Sequence, residues 1–162
     1  DGRLNGYASR LHYFSDWMAD NARRGRVVDL ADALGAVADT EPIDFMSTHA
    51  EAYRQLADPS HVEAVRQVEA RLTAAGRRFV PEDLVASVAD RIRDGDIIAA
   101  TSTVAGLDVA HTGLALWRDG RLHLLHAPLV GSAVEVSAVP LADRIRAQAG
   151  QDGVMVVRPV AS

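Results

Sequence analysis

The stretch HTGLALWRDGRLHLLHAP, residues 111–128, determines how we interpret the second half of the chain. Two alternating runs flank Asp119 and Gly120, a pair that is typical of a two-residue type I′ turn because this turn needs positive φ at both central positions. Counting outward from a two-residue loop places Gly113 opposite His126. The stretch therefore predicts a β-hairpin with a fixed register.

This register predicts the directions of three histidines. His111 lies two residues beyond Gly113, so it shares a sheet face with His126 as its diagonal neighbour, about 7–8 Å away and within reach of two imidazoles. His123 falls on the opposite face, as a structural or exposed residue. Gly113 is expected to leave room for a ring or a substrate. A three-residue loop would reverse the faces and remove the pairing.

Two neighbouring histidines suit three kinds of site. The first is a general base held in one tautomer by a second polar group, which needs a Ser or Cys nucleophile. The second is a metal site, which would require a third ligand such as Asp108 or His49 and for which the chain lacks a metal-binding motif. The third is ligand recognition without chemistry. The non-functional alternative is a pair of ordinary polar residues on a solvated strand face.

Composition restricts the class of protein. A chain of 162 residues with 48% hydrophobic and 24% charged residues suits one globular domain. Its net charge of −5 argues against nucleic acid as a partner, since such affinity depends on clustered positive charge. The sequence contains no Cys, which excludes a disulfide or a cysteine nucleophile within it. No apolar run reaches the length of a membrane span.

Helical periodicity predicts a first helix after Ser9 that ends at Gly25. Its core stripe would consist of Leu11, Phe14 and Met18, which recur at i, i+3 and i+7. Four of the eight aromatic residues lie in or near this segment. They form either a platform for a sugar or peptide or the packing face of an amphipathic helix.

Further helices are predicted after Ser60, as the N-cap of a capping box, and from Pro81. The first of these would end at Gly76. The remaining predicted elements are five strands, DIIAATS, LDVAHTGLALW, RLHLLHA, AVEVSAV and GVMVVRP, and one helix, PLADRIRAQAG, before the last strand. Helices in the first half and a mostly hairpin-linked sheet in the second predict an α+β fold.

Five segments carry a family resemblance: SRLHYFSDW (9–17), DFMSTH (44–49), GDIIA (95–99), GLDVAHTGLALW (106–117) and LHLLHAP (122–128). Together they resemble the N-acetylmuramoyl-L-alanine amidase-like branch of the NlpC-type, papain-like cell-wall hydrolases, over nearly the whole chain. The resemblance implies a single papain-like domain over 1–162, with N-terminal helices packed on a mostly antiparallel C-terminal sheet.

The same resemblance implies an activity: a bacterial amidase that cleaves the amide between N-acetylmuramic acid and the stem peptide of peptidoglycan. Alternatives are a peptidase that cuts within the stem peptide and a non-catalytic module that binds cell-wall fragments. The implied partners are muropeptides, with no cofactor and no metal. The implied location is periplasmic or otherwise extracytoplasmic.

In such enzymes a Cys at a helix N-terminus is the nucleophile, a His on the next strand is its base, and a polar residue on the following strand orients that His. By resemblance His111 is the base and His126 the orienting residue. Because this sequence has no Cys, it is either a piece that lacks the N-terminal nucleophile-bearing helix or an inactive relative. We favour the piece, since both histidines are retained.

The resemblance also suggests substrate contacts in the aromatic segment. Arg10 is expected to pair with a peptide carboxylate, and Tyr13 to pack on a sugar face. Ser9, His12 and Asp16 are expected to line the same groove.

Overall fold

Eight strands form one antiparallel sheet in this computed structural model, which describes residues 6–131 and 133–160. The ends of the predicted 1–162 domain lie outside the described residues. The strands run in the order β2-β3-β8-β4-β5-β6-β7, and β1 also pairs with β8. Their bounds are β1 Val27–Asp29, β2 Val37–Asp39, β3 Arg77–Pro81, β4 Ile97–Ser102, β5 Val109–Arg118, β6 Arg121–His126, β7 Glu135–Val136 and β8 Gln151–Pro159.

Six α-helices accompany the sheet within the described residues, with short 3₁₀ turns between them. None of these helices has both the length and the apolar character that crossing a bilayer requires. Their bounds are α1 Phe14–Arg23, α2 Ala31–Leu34, α3 Phe45–Thr48, α4 Pro59–Ala75, α5 Val85–Val88 and α6 Leu141–Ala147. The predicted α+β class and the mostly antiparallel sheet are confirmed.

The sheet is not confined to the second half of the chain, which corrects the expected order of helices followed by strands. Strands β1, β2 and β3 come from the first half and join through β8. Each has only three to five residues, too few to show an alternating pattern. Pro81 ends β3 opposite Gly153 instead of opening a helix. The helix predicted there is reduced to α5 and a 3₁₀ turn, with Leu84 exposed.

Helix α1 also differs from its prediction, since it begins at Phe14 and buries Ser15 and Asp16. The expected core stripe, which includes Leu11, remains partly exposed. The backbone N–H of Ser15 donates to the Asp108 carboxylate at 2.8 Å. This carboxylate, which directly precedes β5, satisfies a donor that a helix N-terminus leaves unpaired. Asp108 therefore fixes the start of α1 beside the hairpin.

Helix α4 confirms the longest predicted helix but corrects its cap. Asp58, one residue before α4, accepts a hydrogen bond of 2.9 Å from the backbone N–H of Ser60. Pro59 occupies the first helical position, where its missing N–H is not needed. Gly76 ends the helix with φ 69°, as predicted. The N-cap is therefore Asp58, and Ser60 lies within the first turn.

Two apolar clusters hold the elements together. The first joins one face of the sheet to α2, α5 and α6, and the second joins α3 and α4 to Tyr13, the residue before α1. Fully or nearly fully buried members of the first cluster are Val85, Ile98, Leu124, Leu141, Ile145 and Val154. Because β5 and β6 contribute Ala115 and Leu124 to this cluster, the hairpin is fixed within the sheet before its ends reach the candidate site.

Candidate active site

The hairpin between β5 and β6 has the predicted turn and register. Asp119 and Gly120 adopt φ of 51° and 73°, as a type I′ turn requires. Paired residues run from Arg118 opposite Arg121 to Leu114 opposite Leu125. The face assignment derived from a two-residue loop is therefore confirmed.

His111 and His126 meet at the open end of this hairpin. Their Nε2 and Nδ1 atoms are 2.9 Å apart, and the two rings stand nearly perpendicular at 86°. His126 is 6% exposed, whereas His111 is only partly buried. The pair thus combines a sheltered ring with one that remains accessible, which suits an orienting group and a base.

Burial and a nearby positive charge favour the neutral form of this pair. Burial lowers the pKa of His111, and the charge of Arg144 on α6 lowers it further. Burial and Arg144 lower the pKa of His126 in the same way, while the Glu135 carboxylate opposes this effect. A histidine with a lowered pKa carries a free lone pair at neutral pH, as a general base must.

His123 points to the other face of the hairpin, as predicted, and its role is structural. Its ring is 9% exposed and donates through Nδ1–H to the backbone carbonyl of Ser137 at 2.9 Å. Gly113 corrects a different expectation. A Cβ there would lie 2.7 Å from Leu124 Cδ1 and from the Leu125 carbonyl oxygen. The missing side chain therefore accommodates β6 and not a ring or substrate.

A cavity of about 850 Å³ adjoins the accessible side of His111. Cavities of this size commonly hold a small ligand when a few polar groups interrupt an apolar wall. The wall combines residues from β5 and the neighbouring loop with residues from α1 and the segment before it, among them His12, Tyr13, Phe14, Trp17, Leu107, His111 and Leu114. The Leu11 and Phe14 side chains that were expected in the core instead line this cavity.

The structure brings His12 of the aromatic segment to the same cavity as His111. Its Nε2–H donates to the Tyr7 carbonyl at 3.2 Å, and burial lowers its pKa. Ser9 and Arg10 are exposed just before it, and the Ser9 hydroxyl donates to the carbonyl of Gly6 at 2.7 Å. This part of the segment is therefore open to a ligand.

Tyr13 and Asp16 instead tie α1 to α4. The Tyr13 hydroxyl donates to Glu69 at 2.7 Å and accepts from the Met46 N–H at 2.8 Å. Asp16 accepts from Arg71 at 2.8 Å. Tyr13 borders the cavity but is only 3% exposed, so it offers little surface to a sugar in this structure.

Glu135 and Arg144 are site residues that the sequence interpretation missed. Both elements that carry them, the strand AVEVSAV and the helix PLADRIRAQAG, were predicted. Their placement beside the histidines was not predicted. The connection 127–134 between β6 and β7 is eight residues long, and a loop of this length does not specify which residues of the two strands pair. Matching of opposite charges would not have placed Glu135 opposite His126, because the charged residue of β6 is Arg121.

Comparisons with known proteins agree with this geometry. A family model described as AmiA-like, N-acetylmuramoyl-L-alanine amidase-like, matches residues 1–153. A search of curated proteins gives no match. A crystal structure of an N-acetylmuramoyl-L-alanine amidase from Bacteroides uniformis has a TM-score of 0.94 and 36% identity. The alignment covers 99% of this chain and 69% of that one.

Two further structures are similar. One, from Bacteroides fragilis, carries a provisional xylanase name, with a TM-score of 0.92, 35% identity, and coverage of 98% of this chain and 70% of that one. Another, from Legionella pneumophila, has a TM-score of 0.64 and 18% identity over 97% and 64% of the two chains, and shows the shared fold alone. From the family match over residues 1–153, we conclude that the chain belongs to the AmiA-like, N-acetylmuramoyl-L-alanine amidase-like family.

Proposed function

We propose that this chain is the base-bearing part of a cysteine-type peptidoglycan amidase with an NlpC-type, papain-like fold. Its reaction is cleavage of the amide between N-acetylmuramic acid and the stem peptide, outside the cytoplasm. The observation that carries the proposal is the hydrogen bond of 2.9 Å between His111 and His126 beside a ligand-sized cavity. Family membership adds the class of substrate.

The proposed chemistry follows from the free nitrogen of His111. Because Nε2 is bonded to His126, Nδ1 is the atom left to take a thiol proton. The thiolate would attack the lactyl carbonyl carbon, and His111 would return the proton to the departing amine of the stem peptide. Water, deprotonated by His111, would then hydrolyse the thioester and release the muramic acid carboxylate.

The nucleophile is the component that this sequence does not contain. We propose that it is a Cys at the N-terminus of a helix outside the given sequence, where the helix dipole and His111 would lower the thiol pKa. The retained histidine pair supports this over an inactive relative. The similar Bacteroides amidase is also longer, since this chain aligns with 69% of it.

We propose that the cavity holds the muropeptide. His12, Phe14 and Trp17 would contact the ligand from the α1 side, and Ser9 and Arg10 would contact a portion that extends outward. Tyr13 and Asp16 would contribute indirectly by fixing this wall to α4. These assignments retain the predicted groove. Of the five residues predicted to line it, only Ser9, Arg10 and His12 would contact the ligand directly.

Mass spectrometry of incubated muropeptides tests the proposal. We expect a longer, Cys-bearing protein to release intact stem peptide and its His111→Ala variant not to do so. This 162-residue chain should release none. A shortened stem peptide would favour the peptidase alternative, and binding without cleavage would favour the non-catalytic module. Hydrolysis by this chain that His111→Ala abolishes would overturn the need for an external nucleophile.

A further inference from the structure

Glu135 lies directly across the β6–β7 pair from His126. Paired residues project from the same sheet face, so the carboxylate and the imidazole face the same side. His126 Nε2 and Glu135 Oε1 are 4.0 Å apart. The His126 side chain is 4% exposed and that of Glu135 is 58% exposed, so a negative charge reaches the sheltered ring from the solvent side.

The bond between the two histidines admits two proton arrangements. In the first, His111 donates from Nε2–H, so its Nδ1 is free to accept a proton. His126 then accepts at Nδ1 and carries its own hydrogen on Nε2, toward Glu135. In the second, His126 donates from Nδ1–H, and its Nε2 lone pair faces the carboxylate. His111 then has its hydrogen on Nδ1 and is unable to act there as a base.

A carboxylate near His126 Nε2 favours the first arrangement, because it attracts an N–H dipole and repels a lone pair. We propose that Glu135 is a positioning residue that selects the Nε2–H tautomer of His126 and, through it, the Nε2–H tautomer of His111. This inference rests on the proposed role of His111 as a base. Glu135 itself accepts no proton in the reaction.

Arg144 complements this selection without replacing it. Its positive charge acts on both histidines and on Glu135. Its guanidinium donates to the Gln151 side chain at 3.2 Å, which holds α6 against β8. A positive charge disfavours protonation of either ring, whereas choosing between two neutral tautomers requires a negative charge nearer to one ring nitrogen than to the other. In the described structure the Glu135 carboxylate, 4.0 Å from His126 Nε2, supplies that charge.

The test is ¹⁵N NMR of the histidine side chains in this chain, at a pH above the ordinary histidine pKa of about 6.5. Protonated and unprotonated ring nitrogens have separate ¹⁵N shifts, so each tautomer is read directly. We expect Nε2 protonated and Nδ1 unprotonated in both histidines. Glu135→Ala and Glu135→Gln should both shift all four nitrogens toward averaged values, because each removes the negative charge beside His126 Nε2.

Glu41→Gln is the matched control, since it removes the same charge from an exposed residue beyond β2 at the other edge of the sheet. We expect it to leave the four shifts unchanged. Wild-type nitrogens already averaged, or shifts unmoved in folded Glu135→Ala, would overturn the proposal. If Glu135→Ala does not fold, the ¹⁵N shifts of the four ring nitrogens in Glu135→Gln provide the same test.

This measurement requires no hydrolysis, so its result is independent of the amidase assignment. In a Cys-bearing protein, Glu135→Ala should also lower kcat roughly 3- to 30-fold with little change in KM, since it alters a base and not a substrate contact. Absence of amidase activity in the wild-type protein would contradict the proposed function and leave the tautomer result intact.

Discussion

At the scale of single residues, cross-strand geometry and local charge arrange the histidine pair as the proposed base requires. Cross-strand geometry brings His111 and His126 together, and burial and Arg144 lower the pKa of both. One ring nitrogen of His111 is engaged, so the other is available for chemistry. The roles proposed for these residues lead to two predictions that compare neighbouring positions.

The first compares two histidines of β6. His126→Ala in a Cys-bearing protein should lower kcat on the order of 10- to 10⁴-fold, because His111 loses the partner that fixes its ring and tautomer. His123→Ala should leave kcat of the folded protein almost unchanged. It should instead lower the free energy of unfolding by about 1–2 kcal/mol, since the Ser137 carbonyl loses its buried donor.

Muropeptide kinetics and urea unfolding of the two variants measure these effects separately. Equal losses of kcat at equal stability would contradict the face assignment on which the candidate site depends.

The second compares two arginines of α6. Arg144→Gln should raise the pKa of both His111 and His126, because it removes a positive charge that disfavours their protonated forms. Arg146→Gln removes the same charge from an exposed side chain that lies 3.9 Å from the Asp143 carboxylate. It should leave both pKa values unchanged. An NMR pH titration of the ring protons measures them.

The sign of the accompanying stability change follows from linkage. Below about pH 6.5 the unfolded histidines bind protons before the folded ones do. The free energy of unfolding therefore decreases as the pH falls through the lowered folded-state values. Arg144→Gln should reduce this decrease. A steeper decrease in this variant would show that Arg144 does not oppose protonation.

At the scale of elements, helix starts depend on side chains that local patterns identify only partly. At the start of helix α1, the Ser15 N–H donates to Asp108, which is 93 residues away from Ser15 in the sequence. Helix α4 is capped by Asp58, two residues before the Ser60 that its capping-box pattern favoured. Pro59 explains the difference, since it occupies the first helical position and moves the cap to the residue before it.

Replacing these two candidate caps one at a time distinguishes them. Asp58→Ala should lower the Tm by several degrees, because the Ser60 N–H loses its acceptor. Ser60→Ala keeps that backbone bond and should have a smaller effect. Hydrogen bonds from Ser60 hold the pKa of the Asp58 carboxyl below its ordinary value. The stabilisation is therefore present above about pH 3.9 and lost as the pH falls through the lowered value.

Calorimetric melting at neutral and acidic pH measures this pattern. A larger loss of Tm for Ser60→Ala than for Asp58→Ala would contradict the cap assignment.

At the scale of the whole molecule, one buried ion pair connects two neighbouring strands whose partners are 62 residues apart in the sequence. Asp96, directly before β4, is 2% exposed and accepts two bonds from Arg158 of β8, at 2.8 and 2.7 Å. It also accepts from the Arg93 N–H at 2.8 Å. The same Arg158 donates to the Arg91 carbonyl at 3.0 Å. This network fixes the entry of the chain into the central strands.

Removing the charge from this network should destabilise the fold. We expect Asp96→Asn to lower the free energy of unfolding by about 3 kcal/mol, because Arg158 loses its buried partner. Asp143→Asn, which breaks an exposed pair with Arg121 at 3.0 Å, should change it by less than about 1 kcal/mol. Urea unfolding of both variants provides the comparison. Similar losses would show that burial of Asp96 is not what makes its pair important.

The sequence by itself determined what depends on neighbouring residues. Asp119 and Gly120 fix a turn, the turn fixes a register, and the register brings His111 to His126. The helix that Pro140 introduces was predicted for the same reason, since its periodicity lies within one short segment. The resemblance to amidase-like proteins, carried by local motifs, is confirmed by the family match.

Only the tertiary structure decided what depends on residues far apart in the chain. Strands β1 to β3 join the sheet through β8, although their sequences are too short to show strand periodicity. The hydroxyl of buried Tyr13 is hydrogen-bonded to Glu69 and Met46. Packing of α6 places Arg144 beside the histidines. Burial and long-range pairing depend on how all segments fill one core, and no local pattern of residues contains that information.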